Sequence, residues 1–329
     1  MASFLFQIIT DLKLVLWVKV NLQGVGFTGS WNNSVYKVQR ILCSIYMRRS
    51  DMKWKGRTRS SNVEDRRGMK GAVGGLGGIG IIVVIIYTLL GGNPGDILQN
   101  MDTGQSQNAP YEATQEEEQL SEFVSVVLAD TEVIWTDIFT KQGMEYNEPK
   151  LVLFTGSVQS ACGVAGSSTG PFYCPGDKKV YIDLDFYQEL RNKFKAPGDF
   201  AMAYVIAHEI GHHVQNELGV MDQMNEIRGK VSEEEYNAYN VRLELQADYL
   251  AGVWAKHVQG ENLLEEGDLE EAMNAASAVG DDKIQMEAQG YVVPDSFTHG
   301  TSEQRKRWFY KGYEAGDLSE WDTFAADDL

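Results

Sequence analysis

The chain has 329 residues, of which 43% are hydrophobic, 11% aromatic and 23% charged, so it has the apolar material for a packed core and is not a disordered polymer. The formal net charge of −18 is unevenly spread: residues 1–70 carry 13 Lys/Arg against 4 Asp/Glu, and residues 71–329 carry 16 against 43. A body this acidic repels phosphate backbones and excludes nucleic acid as its partner, and three cysteines are too few for a disulfide-built mini-protein.

Residues 1–51 fit no domain pattern. Phe4 to Leu22 is apolar but carries Asp11, Lys13 and Lys19, charges that a bilayer would not tolerate. We treat this stretch as an extension, with Met52 as a candidate start. Residues 52–70 form a basic segment holding Lys53, Lys55, Arg57, Arg59, Arg66, Arg67 and Lys70. No charged residue follows between Gly71 and Gly95. Nineteen residues from Ala72 to Leu90 would span roughly 28 Å as a helix, close to a bilayer core, and the expectation is one uncleaved transmembrane helix over 71–92. The basic segment on its N-terminal side then predicts a cytoplasmic N-terminus and a body on the outer face. Residues 93–118, polar and rich in Gly, Gln and Asn, read as a flexible tether.

The body is expected over 119–329. Gln119 to Gln142 has helical periodicity through Leu120, Phe123, Val127, Ile134 and Ile138. Pro149–Phe154 and Lys179–Leu184 read as short strands. Asp199–Leu218 reads as a helix with Asp199 as a possible cap, and Ser232–Val258 as a second, opened by a Ser-Glu-Glu-Glu capping pattern. Further helices are expected over 268–289 and 301–316. The class is α+β, helix-rich, with a small β-sheet.

Chemistry concentrates in His208-Glu209-Ile210-Gly211-His212. Positions i and i+4 share a helix face, so both imidazoles can grip one ion while Glu209 reaches a metal-bound water without ligating the metal. A site of this kind needs a third protein ligand. Glu244 and Asp248, again i and i+4, lie on the next long helix among Leu243, Leu245, Ala247 and Leu250. One of the two carboxylates can bind the metal and the other can accept the free N–H of a histidine ligand. An unpaired carboxylate on a buried face is costly, which favours a metal partner over a pair of surface acids.

At these residues the sequence resembles the bacterial neutral zinc metallopeptidase family, membrane-anchored proteins of the wider gluzincin class. The resemblance lies in Trp54–Arg57, Ser61–Arg67, Gly170–Pro175, Val180–Leu184, Tyr204–Gln215, Glu244–Asp248 and Val293–Ser302, and runs from about Met52 to Phe324. It implies a zincin-like metallopeptidase domain that holds one Zn2+ through His208, His212 and Glu244. It also implies Glu209 as the catalytic base, Asp248 as the partner of a ligand histidine, and a peptide or protein as substrate. His299, after a Pro294 turn, is the candidate donor to the oxyanion. A His-then-Arg arrangement in related membrane gluzincins makes Arg305 a secondary candidate. His213 points about 100° away from the ligand face and reads as structural, and His257 as a surface residue.

Cys162 and Cys174 flank a Gly/Ser-rich loop. In an oxidising compartment they would form a disulfide contributing ~2–3 kcal/mol; free thiols and zinc ligation are the alternatives. The expected protein is a zinc endopeptidase tethered to the outer face of a bacterial inner membrane. The alternatives are a catalytically silent zincin-fold binding or regulatory protein of the cell envelope, and an amidohydrolase using the same site.

Overall fold

A computed structural model describes residues 52–68, 111–166 and 169–329. The extension over 1–51, the apolar run over 71–92 and most of the tether lie outside the described residues. Among those described, no helix is long and apolar enough to cross a membrane.

The chain enters as an extended arm that ends in strand β1 (Val63–Asp65). Helix α1 (Gln115–Lys141) follows, with Thr114 and Glu117 forming a reciprocal capping box that satisfies its first backbone donors. Strands β2 (Lys150–Phe154), β3 (Ser157–Ser160), β4 (Gly163–Gly166), β5 (Phe172–Cys174) and β6 (Lys179–Asp183) come next. Helices α2 (Phe186–Asn192), α3 (Asp199–Glu217), α4 (Val220–Ile227), α5 (Glu233–Gly260), α6 (Asp268–Ala278), α7 (Asp281–Gln289) and α8 (Ser302–Ala315) complete the body.

The main sheet has the order β1-β2-β6-β5, with β1, β2 and β6 parallel and β5 antiparallel to β6. Strands β3 and β4 form a separate hairpin. Leu151, Leu153, Val180 and Ile182 point from the sheet into the core, where most of α3 and the stretch Leu245–Ala255 of α5 are buried. The other sheet face carries a smaller cluster of Val152, Phe154, Tyr181 and Cys174. Cys162, in the β3–β4 turn, and Cys174, on β5, are joined by a disulfide.

Glycines set the helix spacing. A Cβ on Gly211 of α3 would sit 2.9 Å from the Ala247 carbonyl oxygen of α5. Gly252 of α5 and Gly312 of α8 face each other's helix backbone, where a Cβ would overlap the Phe309 and Tyr249 carbonyl oxygens at 2.0 and 1.9 Å. These three positions let α3, α5 and α8 approach at backbone contact, closer than helices with larger residues at the interface.

Several expectations need correction. Residues 52–68 are not a basic segment apart from the body. Met52 and Trp54 are buried in the main core, and β1 is the edge strand of its sheet. The body starts before residue 119, since Tyr111–Thr114 and the first turn of α1 are already ordered against it. Asp199 is the first helical residue of α3, with Gly198 as its cap. The helix expected over 268–289 is two helices that break at Gly280, where the backbone of α8 comes close. His257 is half-buried and bonds the Gly316 carbonyl at the end of α8.

Candidate metal centre

Helix α3 supplies His208, Glu209 and His212, and α5 supplies Glu244 and Asp248. The two helices can pack closely because Gly211 lies between the two histidines at the contact. His208 and His212 are one turn apart, their rings edge-to-face with centroids 4.8 Å apart. Glu244 meets both: its Oε2 lies 3.1 Å from His208 Nε2 and its Oε1 3.5 Å from His212 Nε2. Ligand atoms of the three residues all fall within 4.8 Å of one another.

These separations can be compared with what a metal requires. Four ligands at ~2.0–2.1 Å in a tetrahedron stand about 3.4 Å apart. The two Glu244 distances bracket that edge, and two imidazoles with one carboxylate are a donor set that suits zinc. A second group of ligand-like atoms, from Asp199, Asp268 and Glu271, contains carboxylates alone and lacks that character.

Behind the imidazoles lies a buried polar network. Asp248 is fully buried, and its Oδ1 is 2.9 Å from His208 Nδ1, accepting the N–H that leaves Nε2 free for a metal. Arg305 of α8, only 3% exposed, donates to the same carboxylate through Nε at 2.8 Å and Nη2 at 3.0 Å. Tyr204, one turn before His208, donates its hydroxyl to Asp248 Oδ1 at 2.5 Å. His212 Nδ1 is 2.8 Å from Gln215 Oε1, and Gln215 Nε2 donates to Leu243 O and Gln246 Oε1. Each ligand histidine thus has its second nitrogen tied to a fixed acceptor.

The electrostatics follow from this arrangement. Burial alone would push the His208 pKa down, but the Asp248 charge and its hydrogen bond, with Glu244 beyond, raise it to about 9. Burial would raise the Glu244 carboxyl, yet the histidines His212, His299 and His208 hold it well below the usual range. Asp248 is also lowered, with Arg305 and His208 overcoming its burial. The metal-free site is therefore a set of carboxylates balanced by protonated imidazole.

The histidine at the rim is held differently. His299 sits in the loop before α8 with its side chain 49% exposed. The Glu244 charge, the largest influence on it, raises its pKa, so it stands within the field of the metal site. Asp281, at the start of α7, fixes this loop. Its Oδ2 accepts the backbone N–H groups of Thr298, His299 and Gly300, and its Oδ1 is 3.3 Å from His299 Nδ1.

The structure thus gathers His208, His212, Glu244, Asp248 and Arg305 around the α3–α5–α8 contact, with His299 at its rim. Glu209 is 8% exposed on α3. Cys162 and Cys174 pair with each other, away from this contact. His213 is structural, bridging the Tyr173 hydroxyl and the Asn147 carbonyl, and burial lowers its pKa. Sequence reasoning assigned no role to Tyr204, Gln215 or Asp281. The first two carry a readable signal, since they lie four residues before one ligand and three after the other.

Comparison with known proteins places the chain in a family. A protein of Escherichia coli K12, "Uncharacterized protein YpfJ", is 47% identical over 283 residues, covering 83% of this chain and 99% of its own length. "Uncharacterized protein Rv2575" of Mycobacterium tuberculosis H37Rv is 45% identical over 195 residues, covering 56% of this chain and 65% of its own. No solved structure matches. The model of the family described as "Putative neutral zinc metallopeptidase" matches residues 52–324, nearly all of the described chain, and the protein belongs to that family.

Proposed function

We propose that this protein is a zinc-dependent peptidase of the gluzincin type, with Glu209 as its general base. The observation that carries the reading is the convergence of His208 Nε2 and His212 Nε2 on the two oxygens of Glu244, at the spacing of a tetrahedral zinc site. When bound there, zinc supplies a Lewis acid that acidifies a water toward a pKa of ~7 and polarises a carbonyl. The protein's own groups do the rest. Glu209 takes the proton of the attacking water and delivers it to the leaving amine. His299 donates to the oxyanion as it develops, from a position set by the Asp281 loop. Asp248 holds His208 in the tautomer that presents Nε2, and Arg305 and Tyr204 hold Asp248.

We also place the protein at a membrane, through the uncharged run Gly71–Gly95, with its body outside the cytoplasm. The Cys162–Cys174 bridge supports the second part, because such bridges persist in oxidising compartments. Its substrate on this reading is a peptide or protein.

The test is metal content with cleavage of a broad peptide library. Wild type should carry one zinc per chain and cleave. Glu209→Gln should keep the zinc and lose about 10²–10⁴-fold in kcat/KM. A wild-type protein that holds zinc and behaves like Glu209→Gln on every peptide would instead be a zinc-holding binding protein.

A further inference from the structure

The arm over residues 52–68 bears on membrane topology. A basic segment ahead of an apolar run is ordinarily read as cytoplasmic. Here, four of the six cations in residues 52–68 are ion-paired with acids of the body instead. Lys53 meets Glu265 at 3.1 Å, Arg57 meets Asp130 at 2.5 Å, Arg59 meets Glu122, and Arg67 meets Glu118 at 3.1 Å. The pairing also runs the other way, since Lys179 of β6 donates to Glu64 of the arm at 2.9 Å. The charge asymmetry between arm and body is therefore used as complementarity between them.

The arm is built in as well as attracted. Met52 is 2% exposed, and Trp54 packs edge-to-face on Phe123 of α1 with centroids 5.6 Å apart. Lys53 N–H bonds Leu263 O, Ser60 N–H bonds Ser125 O, and Leu151 N–H bonds Asn62 O. β1 then pairs in parallel with β2 over three residues. Removing the arm would strip backbone partners from the edge of the sheet and open the core at Trp54.

The two ends of the intervening chain meet. A Cβ on Gly68 would lie 2.1 Å from the Tyr111 side chain, so the chain leaves and re-enters the body at one place. A single bilayer crossing between residues 68 and 111 would put its ends about 30 Å apart on opposite faces. A polar return through the hydrocarbon, with unpaired backbone groups, is not available.

We infer that the arm 52–68 and the body 111–329 occupy the same side of the membrane, and that the chain between them does not cross the bilayer an odd number of times. This replaces the single-pass orientation, with the arm inside and the body outside. It is independent of whether the body cleaves peptides.

The experiment uses the full chain in the bacterial membrane, in a Cys43→Ser background. Ser61→Cys on the arm and Val133→Cys on α1 replace exposed residues, and each is probed with a membrane-impermeant maleimide in spheroplasts before and after lysis. The two positions should label together, both before lysis or both only after it. A third variant, Arg59→Cys with Glu122→Cys, is treated with a bis-maleimide and then cleaved by protease between residues 69 and 110. Crosslinked halves should stay together on a denaturing gel. One position labelled before lysis and the other only after, with halves that separate, would overturn the inference.

Discussion

Asp248 and Asp281 each hold a histidine of the site, but they do so in different surroundings. Asp248 is fully buried between α3, α5 and α8, with Tyr204, His208 and Arg305 around it. Asp281 starts α7, a helix with no buried residue, and binds a loop whose histidine is half exposed. The first carboxylate is held by the core, so the direction of His208 is set by folding itself. The second is held by its own hydrogen bonds, so the direction of His299 depends on one side chain. The metal-facing wall should therefore respond to mutation through stability, and the rim through turnover.

The largest expected effect breaks the wall. Arg305→Met removes the cation from a buried pair and leaves Asp248 with less compensation, which should cost about 3–5 kcal/mol in chemical denaturation. At the rim, His299→Gln should lower kcat about 10²–10³-fold, with zinc content unchanged and stability within about 0.5 kcal/mol of wild type. Equal stability losses for the two variants would erase the distinction.

A pH experiment sharpens it. In the metal-free protein His208 titrates at about 9, above its ordinary value of 6.5. A raised folded-state pKa contributes stability that is complete below the unfolded value and lost as pH rises through the folded one. Chelator-treated protein should therefore lose about 3 kcal/mol between pH 6.5 and above 9, as read from denaturation midpoints. Zinc binding at pH 7 should release about one proton from His208, measurable by calorimetry in buffers of different ionisation enthalpy. The smallest effect tests the helix contact. Gly211→Ala should cost about 1–3 kcal/mol by pushing α3 off Ala247, read as a lowered Tm.

Much of the wall was legible in the sequence because it obeys helical periodicity. His208 and His212 are four apart, as are Glu244 and Asp248, and the flanking apolar residues mark both helices as buried. The disulfide was legible from two cysteines around a glycine-rich loop. The arm was not, because Lys-Trp-Lys-Gly-Arg-Thr-Arg has a local meaning only as a basic stretch. Its partners Asp130, Glu122 and Glu265 are brought to it by folding. Strands β1 and β5 have three residues each, too short for an alternation to register. Asp281 gave no signal either, since the N–H groups it accepts lie 17 to 19 residues further on.

The facing glycines of α5 and α8 have a consequence at a distance. Gly252 lies one turn beyond Asp248, and Gly312 lies two turns beyond Arg305. A single methyl group at either would act as a wedge, prying the two rods apart and tilting the guanidinium away from its carboxylate. Damage to the zinc site can therefore originate about 10 Å along α8, at a residue with no side chain of its own.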